Sequence, residues 1–284
     1  MATKIPAYSF SGTHASEVKN GYWYIYLKSG GTLNMTYAKS GVEVCIIGGG
    51  AGGVRSNSTD AGSGGGGGAV TNRSGISIAA GTGYPIAVGD GGPVPSAGQT
   101  ASGGASSAFG FTAAGGVSGG GNGGVGTGAA GGTGAYAFGD SGLSRYGGGG
   151  GAGGSGPGGA GGGGTGGQTA NYFNAVAPAS AGAANTGGGG GGQGPGAYWD
   201  NGTSYAQGGD AAAGGSGVVI LRGTQDDNLP VWFNGTQLTE IYFNGTRISG
   251  LIYGGTRLFA GRCREWLLKR WGCRSAFRKA IQAA

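Results

Sequence analysis

The chain has 284 residues, 79 of them glycine, with 37% hydrophobic residues, 10% charged residues and a net charge of +6. No run of about eighteen apolar residues could span a membrane, and MATKIPAYSFSG lacks the apolar stretch of a secretory signal, so the expectation is a soluble protein made in a cytoplasm. Three cysteines do not make a disulfide framework.

Residues 1–47 read as strands separated by Ser, Gly and Lys turns: Tyr8–Phe10, then GYWYIYL, TLNMTY and VEVCII. His14, the single histidine, falls in a polar SGTHASE stretch that reads as a solvated turn without a nucleophile or carboxylate partner. Cys45 alternates with Val44 and Ile46 on a strand and reads as a buried small hydrophobe.

Between Gly48 and Gly217 lie 66 of the 79 glycines. Such density without a strict period fits either a disordered linker or a scaffold that only glycine can build. Short apolar islands at 76–80, 84–88, 109–111, 136–138, 172–176 and 198–199 argue for the scaffold, because a flexible linker has no use for them. The ordered form open to such a sequence is a set of extended helices of the polyproline II type, here polyglycine II. Their backbone groups are free to bond between neighbours that pack as closely as hydrogen side chains allow. The tract leaves through GGSGVVILR, where 218–221 match the strand VEVCII, so its two ends are expected side by side in one sheet. Residues 1–223 then form one unit, with strands in 1–47 and 218–222 around the tract at 48–217.

Gly48, Gly50 and Gly53 have the G-x-G-x-x-G spacing of a dinucleotide site. That chemistry needs a helix opening directly after the glycines, with its N-terminus on the pyrophosphate, and VRSNSTDAGSGGGGG opens none. No cofactor, metal cluster or catalytic constellation is expected elsewhere. Asp226 and Asp227 lie in a linker, and Asp90, Asp140 and Asp210 read as turn aspartates. The chain is therefore read as a non-enzyme.

After the linker at 224–230 a ten-residue repeat appears: VWFNGTQLTE, IYFNGTRISG, LIYGGTRLFA. Asn234-Gly235, Asn244-Gly245 and Gly254-Gly255 are the pairs that type I′ hairpin turns demand. Eight-residue strands at 236–243 and 246–253 between them predict a four-stranded antiparallel meander over 231–260. With apolar groups on both faces, it needs a neighbour to pack against. The last segment, 261–284, carries seven Lys or Arg and one Glu, so residues 1–261 are neutral with ten charges of each sign. It reads as one or two short helices with Trp266, Leu267, Trp271, Phe277 and Ile281 on an imperfect apolar face. Docking on a partner, folding onto its own chain, or lying on an anionic membrane or nucleic acid are the roles open to it. Cys263 and Cys273 read as free thiols or as a bridge within or between chains; a continuous helix would hold them about 15 Å apart, too far to bridge within one chain.

The succession of blocks carries a resemblance. A YSFSG start, WYIYLKSGGTLNM, VEVCIIGGGAGG, GYPIAVGDGG, GGASSAFGF, AYAFGDSGLSRYGGGGGAGG, AANTGGGGGG and GGSGVVILR together resemble the glycine-rich domain of bacteriophage tail proteins, particularly minor tail and tail-fibre proteins, over about residues 7–223. The composition is also similar to that of the glycine-rich adhesin at the tip of T-even-like long tail fibres. The resemblance implies a virion structural protein of the tail, made in the host cytoplasm and acting in host adhesion. Its partners would be other virion proteins and a host cell-surface glycan or protein, and a homo-oligomer such as a trimer suits a fibre component. The neutral body argues against nucleic acid as a partner.

The fold expected is mainly β: antiparallel, β-sandwich-like strands bracketing a glycine-rich polyglycine II region, then a small β-meander and a C-terminal helix. The least glycine-like loops supply the candidate receptor contacts, Asn171, Tyr172, Phe173 and Asn174, and Tyr198, Trp199, Asp200, Asn201 and Tyr205, because amphipathic aromatics offer large rigid contact area. The opposing reading is that Phe173 and Trp199 pin the glycine helices from within. A purely architectural role as a neck fibre, head fibre or tail-tip spacer is the alternative function. A glycine-rich ice-binding protein is a third, disfavoured by the irregular spacing and aromatic loops.

Overall fold

Alternation of side chains sets the first sheets. Strand β3 (Tyr22–Leu27) follows β1 (Tyr8–Phe10) and β2 (His14–Lys19), and β4 (Gly31–Met35) leads into β5 (Lys39–Ile47). Successive residues point to opposite faces, and here both faces are apolar. Trp23, Ile25, Leu27, Val44 and Ile46 lie in one buried cluster, and Tyr24, Cys45 and Ile47 in a second. The structure is a computed structural model that describes residues 5–56, 60–97, 99, 101–119, 122–124, 128–169, 176–198, 205–206 and 208–224, with backbone alone at 197–198 and 205–206, and the backbone of short strands between 231 and 259. The chain divides into two compact units, Met1–Thr224 and Gln225–Ala284.

In the first unit the chain continues through β6 (Val70–Ile78), β7 (Gly83–Ile86), β8 (Ser106–Ala108), β9 (Phe111–Ala113), β10 (Ala135–Tyr136), β11 (Arg145–Tyr146), β12 (Ala197–Tyr198), β13 (Tyr205–Ala206) and β14 (Val218–Thr224). Every ladder between these strands is antiparallel. The protein is mainly β, and the described residues contain almost no helix beyond a single 3-10 turn at Ala137–Gly139. A five-stranded sheet has the order β2-β3-β14-β5-β6, and a three-stranded sheet the order β1-β4-β7. Leu33 and Met35 of β4 and Ile86 of β7 join Trp23, Ile25, Leu27, Val219 and Leu221 in one cluster, so the two sheets bury their apolar faces against each other. Fully burying each of these larger side chains contributes about 1.5–3 kcal/mol.

The opposite face of the five-stranded sheet is covered by 137–146, through Ala137, Phe138, Leu143 and Tyr146. Arg222 fastens this cover. Its guanidinium bonds Glu43, reaches Asp140 at 3.4 Å and lies over the Phe138 ring at 4.3 Å and the Tyr22 ring at 4.9 Å. The Asp140 carboxyl, which accepts the Gly142 N–H and lies beside Arg222, is held below its ordinary pKa. Cys45, fully buried here, has its thiol pushed up to about 12 by desolvation and stays protonated.

Strand β2 is where the sequence reading needs correction. His14 opens a strand rather than sitting in a turn, with Nδ1 3.0 Å from the Gly12 carbonyl oxygen and its ring edge-on to Tyr8 and Phe10. The strand HASEVK lies at the sheet edge and is exposed at all but one position. It has no apolar alternation to announce it, and β3 supplies the pairing.

Strands β5 and β14, which bracket the glycine tract, pair directly with Ile47 opposite Val218. From Gly48 the β5 strand runs on into a lattice of extended segments. The N–H groups of Gly48, Ala51 and Val54 donate to the carbonyls of Ala69, Gly66 and Ser63; those of Gly49 and Gly52 to Gly104 and Ala101; those of Gly50 and Gly53 to Gly215 and Ala212. Each set recurs every third residue on a different neighbour. In return the carbonyls of Gly49, Gly50 and Ala51 accept from Gly116, Gly92 and Gly190. Segment 48–54 is thus bonded on all sides. The same three-residue step runs parallel elsewhere, with Gly148, Gly151 and Gly154 donating to Gly161, Gly164 and Gly167. Hence the dinucleotide-like glycines Gly48, Gly50 and Gly53 have their N–H groups committed to this lattice, and a strand precedes them with no helix after among the described residues.

In the second unit the strands are β15 (Val231–Phe233), β16 (Thr236–Leu238), β17 (Tyr242–Phe243), β18 (Thr246–Arg247), β19 (Leu251–Tyr253) and β20 (Thr256–Phe259). They form three two-stranded ladders, with Phe233 opposite Thr236, Phe243 opposite Thr246 and Tyr253 opposite Thr256, so each ladder closes across one of the expected turn dipeptides. Among the described residues no ladder joins one hairpin to the next. The expected C-terminal helix and its residues Trp266, Leu267, Trp271, Phe277 and Ile281 lie outside the described residues, as do Cys263 and Cys273.

Candidate functional site

The lattice has two ends with different contents. At one, segments pass directly into sheet: Ile47 into Gly48, Ala69 into β6, Ala113 into Ala114, Tyr146 into Gly147 and Gly217 into β14. At the other, segments are joined by the glycine-poor connections 55–61, 94–100, 169–176 and 195–207. Reversals within the lattice are also made by short glycine-rich turns, at 153–155 and 160–162.

The bases of these loops are laced together. Val54 N–H donates to Ser63 O, Gln193 N–H to Val54 O, and Gly62 N–H to Gln193 O. On the adjoining segments, Gln168 N–H donates to Ala177 O, Gly209 N–H to Gln168 O, and Gly194 N–H to Gly209 O. A half-exposed ion pair, Arg55 Nη2 to Asp210 Oδ1 at 3.4 Å, spans from the first loop to the segment that follows the last. The loops at 55–61, 169–176 and 195–207 therefore rise from one hydrogen-bonded patch at the end remote from the sheets.

Two of the residues singled out from sequence are directly opposed: β12 and β13 form a short hairpin stem with Tyr198 opposite Tyr205 and Ala197 opposite Ala206. Trp199, Asp200 and Asn201 belong to the loop of that hairpin and lie outside the described residues, as do Asn171, Tyr172, Phe173 and Asn174. The described residues that flank them, Gln168 and Ala177 on one side and Gly194 and Gly209 on the other, are joined by the hydrogen bonds just given. Both candidate loops start from neighbouring segments.

Sequence reasoning missed Arg55, Asp210 and Gln193. Arg55 and Asp210 are 155 positions apart, and nothing local links them. Gln193 is fully buried, and among the described residues neither of its side-chain amide atoms has a hydrogen-bond partner. Its signal was visible as the one long polar side chain in GGGGGGQGPG.

Among the described residues no group of three His, Cys, Asp or Glu could hold a metal ion, and no helix is long and apolar enough to cross a membrane. What this arrangement can do is present side chains from several loops on a fixed base. No protein-family model matches the chain, and no curated protein matches it significantly.

Proposed function

We propose that this chain is a bacteriophage virion structural protein of the tail, whose glycine-rich lattice acts as a polyglycine II scaffold carrying loops that bind the host surface. The observation that carries this reading is the gathering of the glycine-poor loop bases at one end of the lattice, with the sheets at the other. Rigid, mutually bonded bases hold the loops in fixed relation, which lowers the ordering cost of binding. Tyr and Trp on such loops offer stacking faces and hydrogen-bonding tips to a glycan or a protein. The family resemblance of the block order points the same way.

A pull-down of the purified chain, with and without residues 262–284, against intact host-type cells and against disassembled virion proteins tests this. Cell binding that survives the deletion is the expected result. Binding to virion proteins alone, lost with the deletion, would make the chain an architectural component and remove the receptor role.

A further inference from the structure

Beside the sheets, away from the loop end, β7 and the β8–β9 hairpin enclose an open concavity of about 870 Å³ with the end of β6. Its apolar wall is formed by Ile76, Tyr84, Phe109 and Phe111, all half-buried. The rings are held in place. Tyr84 Oη accepts the Ala79 N–H at 2.9 Å, and Tyr84 packs on Phe109 with ring centroids 5.2 Å apart. Arg73 lies over Phe111 at 5.0 Å.

Phe109 holds its place against its local preference. Ala108 pairs with Phe111, so Phe109 and Gly110 form a two-residue turn, with φ of 51° and 80°. Asn-Gly is the pair such a turn favours, and a bulky residue at positive φ is uncommon. The ring is retained where the backbone would be better served by Asn.

The rest of the lining narrows the ligand. Ser77, Ser107 and Thr112 border the rings, and their hydroxyls make no hydrogen bond to any described residue. Among the described residues no charged side chain lines the concavity, and the nearby Arg73 guanidinium is engaged over the Phe111 ring, which does not suit a phosphate or a carboxylate. The backbone groups of Ala87 and Ser107 already bond each other, N–H to carbonyl in both directions, at 2.8–2.9 Å, so recognition in the hollow falls to the side chains. Fixed aromatic faces rimmed by free hydroxyls in an uncharged hollow fit a molecule with an apolar C–H face and an equatorial rim of hydroxyls. We infer that this concavity is a binding site for a neutral pyranose sugar, stacked on Phe109 and Tyr84 and hydrogen-bonded by Ser77, Ser107 and Thr112. The site is separate from the loop end, and its existence does not depend on the adhesin reading.

Saturation-transfer difference NMR of the full chain with methyl glucoside, methyl galactoside and methyl N-acetylglucosaminide, each at millimolar concentration, tests the inference. Transfer to the C–H face of at least one glycoside is expected. Phe109→Asn, which keeps the turn by supplying its preferred residue, should weaken that binding about tenfold, and Thr112→Val should weaken it while preserving the strand. Absence of transfer to all three glycosides, or transfer unchanged in Phe109→Asn, overturns the inference. So does self-association that Phe109→Asn abolishes, which would make the concavity an interface between copies of the chain.

Discussion

Gly50→Ala is expected to destabilise the first unit by more than about 3 kcal/mol, lowering its melting temperature by about 6–12 °C. A β-carbon built on Gly50 falls well inside 3.0 Å of the Gly188 carbonyl oxygen, and those on Gly49, Gly52 and Gly53 meet the carbonyls of Asp90, Pro93 and Gly191 in the same way. These obstacles are backbone atoms, and the carbonyls of Gly188, Asp90 and Gly191 themselves accept from Gly215, Gly104 and Ala212, so no side-chain rotation relieves the clash. The segments would have to separate, and each lost backbone hydrogen bond exposes a buried donor and acceptor. Ala183→Ser on the outer segment 177–184, where position 183 is exposed, should stay within about 0.5 kcal/mol. Thermal unfolding followed by circular dichroism or calorimetry compares the two. A Gly50→Ala protein that melts with its parent would mean that segment 48–54 is not enclosed as described.

The second large effect concerns binding. Replacing Tyr198 and Trp199 together by Ala should cut adhesion to host-type cells at least about thirtyfold, as expected for a hot-spot contribution of about 2 kcal/mol, while the melting temperature moves by less than about 2 °C. The separation of the two readouts follows from position. The stem between β12 and β13 is held by its own backbone pairs at 197–198 and 205–206, and its base by the Gly194–Gly209 bond. Neither needs an aromatic ring at 198 or 199. Retained binding would remove these residues from the contact surface, and a large loss of melting temperature would show that they pin the lattice from inside.

The residues of the sandwich were legible because their pattern is strong: YWYIYL and VEVCII are short, nearly unbroken runs of aromatic and apolar residues bounded by Gly, Ser and Lys turns, and β3 and β5 appear where those runs do. Strand β2 was not, since HASEVK owes its conformation to the neighbouring β3. Strand β6 was half visible. Only its apolar end around Ile76 stood out, while TNRS ahead of it is polar because β6 is an edge strand. The glycine tract was legible as a scaffold but not as a lattice with a particular neighbour order. A three-residue period shows in a sequence only when every segment is enclosed alike. Here 48–54 is bonded on all sides and must be nearly all glycine, whereas 177–184, on the outside, reads APASAGAA. In that outer segment 179 and 182 face inward and the positions between are exposed. The candidate loops could be picked out as glycine-poor, yet their shared location rests on bonds such as Gln168 with Ala177 and Gly194 with Gly209, which link residues with no common local signal.

Native-state amide hydrogen exchange, resolved residue by residue, tests the ordered glycine lattice on which the rest stands. The amides of Gly49, Gly50, Ala51, Gly52 and Gly53 donate to five carbonyls on three other segments, so they should open only with global unfolding and be as protected as those of Val44 and Ile46 in β5. Exchange of these five amides at the rate of an unstructured peptide, with β5 still protected, would contradict the lattice and return the tract to a linker.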